Sequence, residues 1–157
     1  MMFYLLIYTV MTLGSFICVM EMRDSDGNPL ETLSSLSGMS QTRPGLAAAF
    51  AVFMFSLAGI PPLFGFWGKF LVFDAAVAAG MLPLAVIGIA ASVIGAFYYI
   101  KVVKIIYFDE PSNEIATTGH KTENGLILVL ALIVSPLGYL AIPSIAPIAN
   151  AAAAALF

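Results

Sequence analysis

Gly59-Ile-Pro-Pro-Leu-Phe-Gly-Phe-Trp-Gly-Lys69-Phe is the stretch whose reading decides how this chain folds. Two adjacent prolines, Pro61 and Pro62, and one lysine interrupt an otherwise apolar run, and no other charge occurs between Arg43 and Lys69. That run extends from about Pro44 to Gly80. As one straight helix it would be about 55 Å long at ~1.5 Å per residue, against a hydrocarbon core of about 30 Å. Proline has no amide donor and its ring clashes with the preceding turn. The expectation is two half-helices, about 45–58 and 63–79, with a break at Gly59–Pro62 where Gly59 supplies flexibility. Irregular backbone at membrane depth persists only where protein or a water-filled cavity surrounds it, so the segment belongs inside a bundle.

Composition supports a membrane setting. The 157 residues are 61% hydrophobic and 10% charged, with a mean hydropathy of +1.02; soluble domains carry about 25% charged residues. Thirteen of the fifteen charged residues fall in 21–43 and 101–123, and the two others are Lys69 and Asp74. The charge-free runs 1–20, 44–68, 75–100 and 124–157 each reach the roughly 20 residues that a membrane crossing needs. The expected fold is an all-α integral membrane protein of about four transmembrane helices, the second broken at Gly59–Pro62. The spans are about 2–20, 45–79, 81–108 and 125–142, joined by polar loops 21–43 and 109–123. The lipid bilayer is therefore one partner. Nucleic acid is not, because six basic residues are too few and too scattered to track phosphates. Cys18 is alone in the first apolar run, offers neither a disulfide nor a cysteine metal site, and reads as a small packing residue. No internal repeat is visible in this length.

The first run lacks a basic leader and an A-x-A site, so it reads as a span and not as a signal peptide. Its abrupt start suggests a chain that begins inside a larger architecture. Loop 21–43 is rich in turn residues, and Asp24-x-Asp26-Gly27 does not continue into a calcium-binding loop, so a solvated connection is expected. In the third span Gly88, Ala91, Ser92 and Gly95 make a small-residue face for close helix contact. Tyr98, Tyr99, Tyr107 and Phe108 suit an interfacial belt, and Asp109-Glu-Pro111 stops the helix. His120, beside Lys121, reads as a solvated loop residue and not as a catalytic one. Pro136 is expected to kink the fourth span, and the tail with Pro143, Pro147 and the alanines at 151–155 to stay at the membrane surface. The two charged segments, 21–43 and 101–123, which hold the polar loops and the adjoining end of the third span, contain five of the six Lys and Arg residues. The positive-inside rule then puts the loops in the cytoplasm and both termini outside.

A membrane-buried ammonium beside a broken helix is costly to keep, which makes Lys69 the candidate functional group. Desolvation disfavours its charged form, and the positive end of the second half-helix is expected to oppose the charge weakly. Such a lysine could load and release a proton near neutral pH. Gly65 and Gly68 leave room beside it for water or a neighbouring helix. The alternative is snorkelling, in which the stem threads the amine out to the headgroups; Asp74, at an unfavourable spacing for pairing, could mark that helix end. Lys101 and Lys104 suit positive-inside anchoring, and Lys101 could also line a proton uptake path. Trp67 and the phenylalanines near the break read as packing groups.

Ser56-Leu-Ala-Gly-Ile-Pro-Pro62 followed by Gly65-Phe-Trp-Gly-Lys69-Phe resembles the broken, lysine-bearing helix of antiporter-like membrane subunits. These are the proton-pumping subunits of respiratory complex I, NADH-quinone oxidoreductase, and their relatives in multisubunit cation/proton antiporters. Ala96-Phe-Tyr-Tyr-Ile-Lys101-Val-Val-Lys-Ile-Ile-Tyr-Phe108 is similar to the next helix of the N-type subunit, and Tyr4-Leu-Leu-Ile-Tyr8 through Gly14-Ser-Phe16 to the helix before. The resemblance covers almost the whole chain and is weakest after Gly125. It implies the last four of fourteen spans: a C-terminal fragment, a split-gene product or a truncated form. By it, Lys69 corresponds to the lysine of the second broken helix, which carries protons outward in a bacterial inner membrane, with both termini periplasmic. It implies a subunit that is part of a translocase but does no redox chemistry itself. No cofactor is implied in this chain; NADH, FMN, iron–sulfur clusters and quinone belong to other subunits. The partners implied are the other membrane subunits and the earlier helices. Two other readings are the D-type subunit of a sodium/proton antiporter, against which the Tyr98–Phe108 pattern counts, and a purely structural assembly segment.

Overall fold

In the computed structural model, residues 2–112, 115–116 and 121–141 are described. His120, on which one expectation rests, and Pro143, Pro147 and the alanine run, on which another rests, lie outside the described residues, as do both termini. The helices are α1 (Met2–Met20), α2 (Met39–Thr42), α3 (Pro44–Ala58), α4 (Phe64–Ala78), α5 (Leu82–Phe108) and α6 (Lys121–Val134). Short 3-10 segments occupy Ser34–Leu36 and Pro136–Ala141. Among the described residues, only α5 is by itself long and apolar enough to cross a membrane, while Tyr4–Met20, Pro44–Ala58 and Thr122–Val134 are shorter apolar helices. The second span is divided as the prolines require, into α3 and α4.

Helix α3 lies at the centre and packs against α1, α4, α5 and α6. Its small residues Ala47, Ala49 and Ala51 are buried along with Phe50 and Phe53. Gly14 of α1 lies against the Phe53 ring, where a side chain would overlap the aromatic carbons. The outer face of α5 keeps Ile87, Ile94, Phe97 and Phe108 exposed. Apolar side chains directed away from the bundle on a helix of this length suit lipid or a neighbouring subunit and not water.

Three expectations need correction. Loop 21–43 is not simply solvated. Arg43 and Glu21 are both buried; Arg43 Nη2 meets Glu21 Oε2 at 3.0 Å and donates to Asn124 Oδ1 at 3.1 Å, while Nη1 donates to the Glu21 carbonyl at 2.9 Å. This network ties the end of α1 to the starts of α3 and α6. The fourth helix starts at Lys121, earlier than expected, with Glu123 in its first turn, where a carboxylate favours the helix N-terminus. Finally, Pro136 does not kink that helix but ends it at Val134. The Leu132 carbonyl would accept the amide of residue 136, which proline lacks; the Ser135 hydroxyl donates to it instead at 2.7 Å.

The solvated part of the loop is a tight turn. The Asp24 carboxylate accepts the backbone amides of Asp26 and Asn28 and the Asn28 side-chain amide. These bonds, the Asn28 side chain first, hold its carboxyl below the usual carboxylate range.

Candidate functional site

Helix α3 ends in a left-handed turn at Gly59, φ +85°. The Gly59 amide reaches the carbonyls of Phe55 and Ser56, and the Ile60 amide also reaches Phe55, a common way to close a helix C-terminus. Two carbonyls remain. In a continuous helix Leu57 would accept the amide of residue 61 and Ala58 that of residue 62. Both positions are proline, joined here by a cis peptide bond, and neither has an N–H. The Lys69 amine fills both places: Nζ donates to the Leu57 carbonyl at 2.9 Å and lies 3.4 Å from that of Ala58. The prolines create the vacancy that the lysine occupies.

Gly59 has a second reason to be glycine. The Lys69 stem passes over it, and a Cβ there would lie 3.2 Å from Lys69 Cδ. The start of α4 is held from the other side. Ser56, fully buried, accepts the Gly65 amide on its Oγ at 2.9 Å and contacts Met11 Sδ at 2.9 Å. The Gly65 amide belongs to the first turn of α4, where amides have no partner within the helix. Each half-helix therefore caps the other, with Ser56 of α3 on α4 and Lys69 of α4 on α3.

The amine turns inward and is half-buried, so the stem does not run out to the helix end as snorkelling would require. The expected dipole effect also changes sign. Lys69 Nζ sits at the negative end of α3, where a cation is favoured, and not under the influence of α4 alone. Sequence spacing placed the lysine correctly beyond the break but could not show which way its long stem would point.

Two cavities share Lys69 as a lining residue. One, of about 290 Å³, lies between α1, α4 and α5 and is lined by Tyr4, Tyr8, Tyr99, Ser92, Gly95 and Lys69. The other, of about 510 Å³, is a groove between α4 and α5 lined by Phe66, Phe70, Phe73, Asp74, Ser92 and Lys69, among others. Lys69 and Ser92 belong to both. The small-residue face of α5 thus only partly makes close contact: Gly88 lies under the Phe73 ring, whereas nothing stands within 4 Å of a Cβ at Gly95. Gly65 and Gly68 give room to neighbours, the Ser56 backbone and the Tyr4 ring.

Asp74 is exposed in the groove and forms no ion pair with Lys69. Lys101 is exposed and lines neither cavity. Lys104 pairs with Asp109. Phe64 is buried, but Trp67 and Phe70 are exposed; with Phe66 they form an aromatic cluster at centroid separations of 5.6–6.1 Å on the outer face of α4. These rings pack on one another and not in the core. Ser56 was not singled out from the sequence as a site residue, although it is the lone polar side chain between Pro44 and Gly59. Such a residue in an apolar run is the signal that could have found it.

Residues 1–95 match the family described as NADH:quinone oxidoreductase/Mrp antiporter, TM. Among curated proteins, the chain is 66% identical over 155 residues to NADH-quinone oxidoreductase subunit N of Rhizorhabdus wittichii, covering 98% of this chain and 32% of that one. It is 55% identical to the subunit of the same name from Sphingopyxis alaskensis, covering 98% of this chain and 33% of that one. Among solved structures, a chain of the respiratory complex I from Thermus thermophilus with bound aureothin matches with a TM-score of 0.75 and 30% identity, covering 90% of this chain and 32% of that one. The chain thus spans about a third of the length of these relatives.

Proposed function

The chain belongs to the NADH:quinone oxidoreductase/Mrp antiporter transmembrane family, and from that premise we propose that it forms one end of the proton path in an N-type membrane subunit of a bacterial NADH:quinone oxidoreductase. The observation that carries the reading is the Lys69 amine, held inside a helical bundle on the carbonyls of a broken helix. Lys69 is the proton carrier. It takes up and gives up a proton as its amine moves between the acceptors at the break and the cavities on either side. Tyr4, Tyr8, Tyr99 and Ser92 supply hydroxyls that can hold water against the amine. Lys101 lines neither cavity, so any part it has in proton uptake requires another chain segment to complete the route.

On this reading the chain does no redox chemistry. NADH, FMN, iron–sulfur clusters and quinone are carried by other subunits, and quinone reduction reaches Lys69 as a change in electrostatic field. The partners are the other membrane subunits and the remaining helices of the N-type fold, in the bacterial inner membrane. The charge distribution favours polar loops in the cytoplasm and termini in the periplasm. The names of the relatives favour the N type over a sodium/proton antiporter subunit. The test is Lys69→Met in the assembled complex. Loss of protons pumped per quinone reduced is expected, and an unchanged ratio defeats the proposal.

A further inference from the structure

We infer that Ser56 is a positioning residue for Lys69, acting through the ring of hydrogen bonds that closes the helix break. The inference rests on the reading of Lys69 as the proton carrier. The ring runs from Ser56 Oγ to the Gly65 amide at 2.9 Å, along one turn of α4 to Lys69, and from Lys69 Nζ back to the Leu57 carbonyl at 2.9 Å, one residue from Ser56. Both joints link α3 to α4 across a gap where two consecutive residues have no amide.

The chemistry of each member fits its place. Ser56 is fully buried, and Met11 Sδ at 2.9 Å is an acceptor only. The hydroxyl proton therefore points at the sulfur, which leaves an oxygen lone pair for the Gly65 amide. Gly65 is the one residue that allows this approach, because a Cβ there would collide with the Ser56 carbonyl oxygen and lie 2.9 Å from its Oγ. The register between α3 and α4 is thereby fixed one turn before Lys69. That register decides whether the Lys69 stem brings its amine to the Leu57 and Ala58 carbonyls. A proton carrier must be placed within about an ångström to work, and groups away from the reacting atoms supply that placement.

The test compares Ser56→Ala, Ser56→Thr and Lys69→Gln in the whole complex, reconstituted in vesicles. Quinone reduction rate, subunit content and protons pumped per quinone are measured in each. Ser56→Ala is expected to keep subunit content and quinone reduction while losing at least half as much of the pumping ratio as Lys69→Gln does. Ser56→Thr, which returns the hydroxyl, is expected to restore the ratio. A wild-type ratio in Ser56→Ala beside a low ratio in Lys69→Gln overturns the inference and leaves the functional reading intact. A wild-type ratio in Lys69→Gln overturns that reading instead. A fall in Ser56→Ala that only follows loss of the subunit also overturns the inference. So does a ratio that stays low in Ser56→Thr once amide exchange over 64–68 has returned to wild type.

Discussion

Replacing Lys69 separates its two tasks, because one needs a hydrogen-bond donor and the other needs a group that titrates. Methionine removes both. Glutamine keeps a donor on a stem one atom shorter, but its amide neither gains nor loses a proton in the working pH range. A hydrogen bond from a charged donor contributes about 1.5–3 kcal/mol, and a neutral one about 0.5–1.5 kcal/mol. The Leu57 contact at 2.9 Å has the full geometry, while the Ala58 contact at 3.4 Å adds little. Lys69→Met should therefore lower the free energy of opening the break by about 1.5–3 kcal/mol. At ~1.36 kcal/mol per tenfold change, amide exchange in residues 57–60 and 63–68 should accelerate roughly 10- to 150-fold. Lys69→Gln should recover part of this protection.

Pumping should behave differently. Both variants should lose protons per quinone to the same extent, because neither side chain can carry one. Exchange mass spectrometry of the purified complex and proton-release measurements in vesicles read the two effects separately. Two results would refute the reasoning. A glutamine variant that pumps normally removes titration from the mechanism. A methionine variant with unaltered exchange shows that the amine does not cap α3.

The small-residue face of α5 gives a matched pair: Gly88→Ala meets the Phe73 ring at 2.8 Å and should cost about 1–3 kcal/mol by overpacking, while Gly95→Ala faces open space and should be nearly neutral, as thermal denaturation in detergent will show. Arg43→Met removes one member of a buried ion pair that joins three helices and should destabilise by about 3–5 kcal/mol in the same assay; a loss under 1 kcal/mol contradicts it. The Asp24 carboxyl is lowered, so its contribution to the turn is present above its ordinary value of about 3.9 and is lost as pH falls through the lowered one. Protection of the Asp26 and Asn28 amides, taken relative to the intrinsic exchange rate at each pH, should stay level from about pH 8 to 5 and fall only below about pH 4, whereas loosening already near pH 6 would be the wrong sign.

What could be read from the sequence was set by local covalent chemistry. Pro61 and Pro62 forbid two helical hydrogen bonds whatever surrounds them, so the break and the ends of α3 and α4 follow from residue identity alone. The charge-free run 1–20 likewise matches α1 nearly to the residue, and the expected span 81–108, stopped by Asp109-Glu-Pro111, matches α5. The Arg43–Glu21 pair was missed because it is a tertiary meeting across 22 positions, although both residues stand at the edges of their apolar runs and so at one membrane level. The α6 start was placed late because Lys121-Thr-Glu-Asn reads as loop by composition, while Asn124 is drawn into the bundle by Arg43. Trp67 packs as expected, on Phe66 and Phe70, but that it does so outside the core was not legible, because a helix apolar on all sides has no inward face to read from periodicity.

The link between the prolines and the lysine can be tested from the other side. In Pro61→Ala/Pro62→Ala the chain regains two amides at the positions that would serve Leu57 and Ala58 in a continuous helix. Each proline also costs about 3 kcal/mol in a helix interior relative to alanine, so the double variant strongly favours helix through the gap, opposed by the Ser56–Gly65 bond and the surrounding packing. Where the new amides take the carbonyls, Lys69 keeps its charge and its place in the sequence but loses both acceptors. Pumping should then fall towards the level of Lys69→Gln, while amide exchange over 57–66 becomes slower than in the wild type. A lysine that works by its presence alone would be indifferent to this change. Wild-type pumping together with slowed exchange would therefore show that the amine does not need the break, and the coupling of prolines to lysine argued from the geometry would be lost.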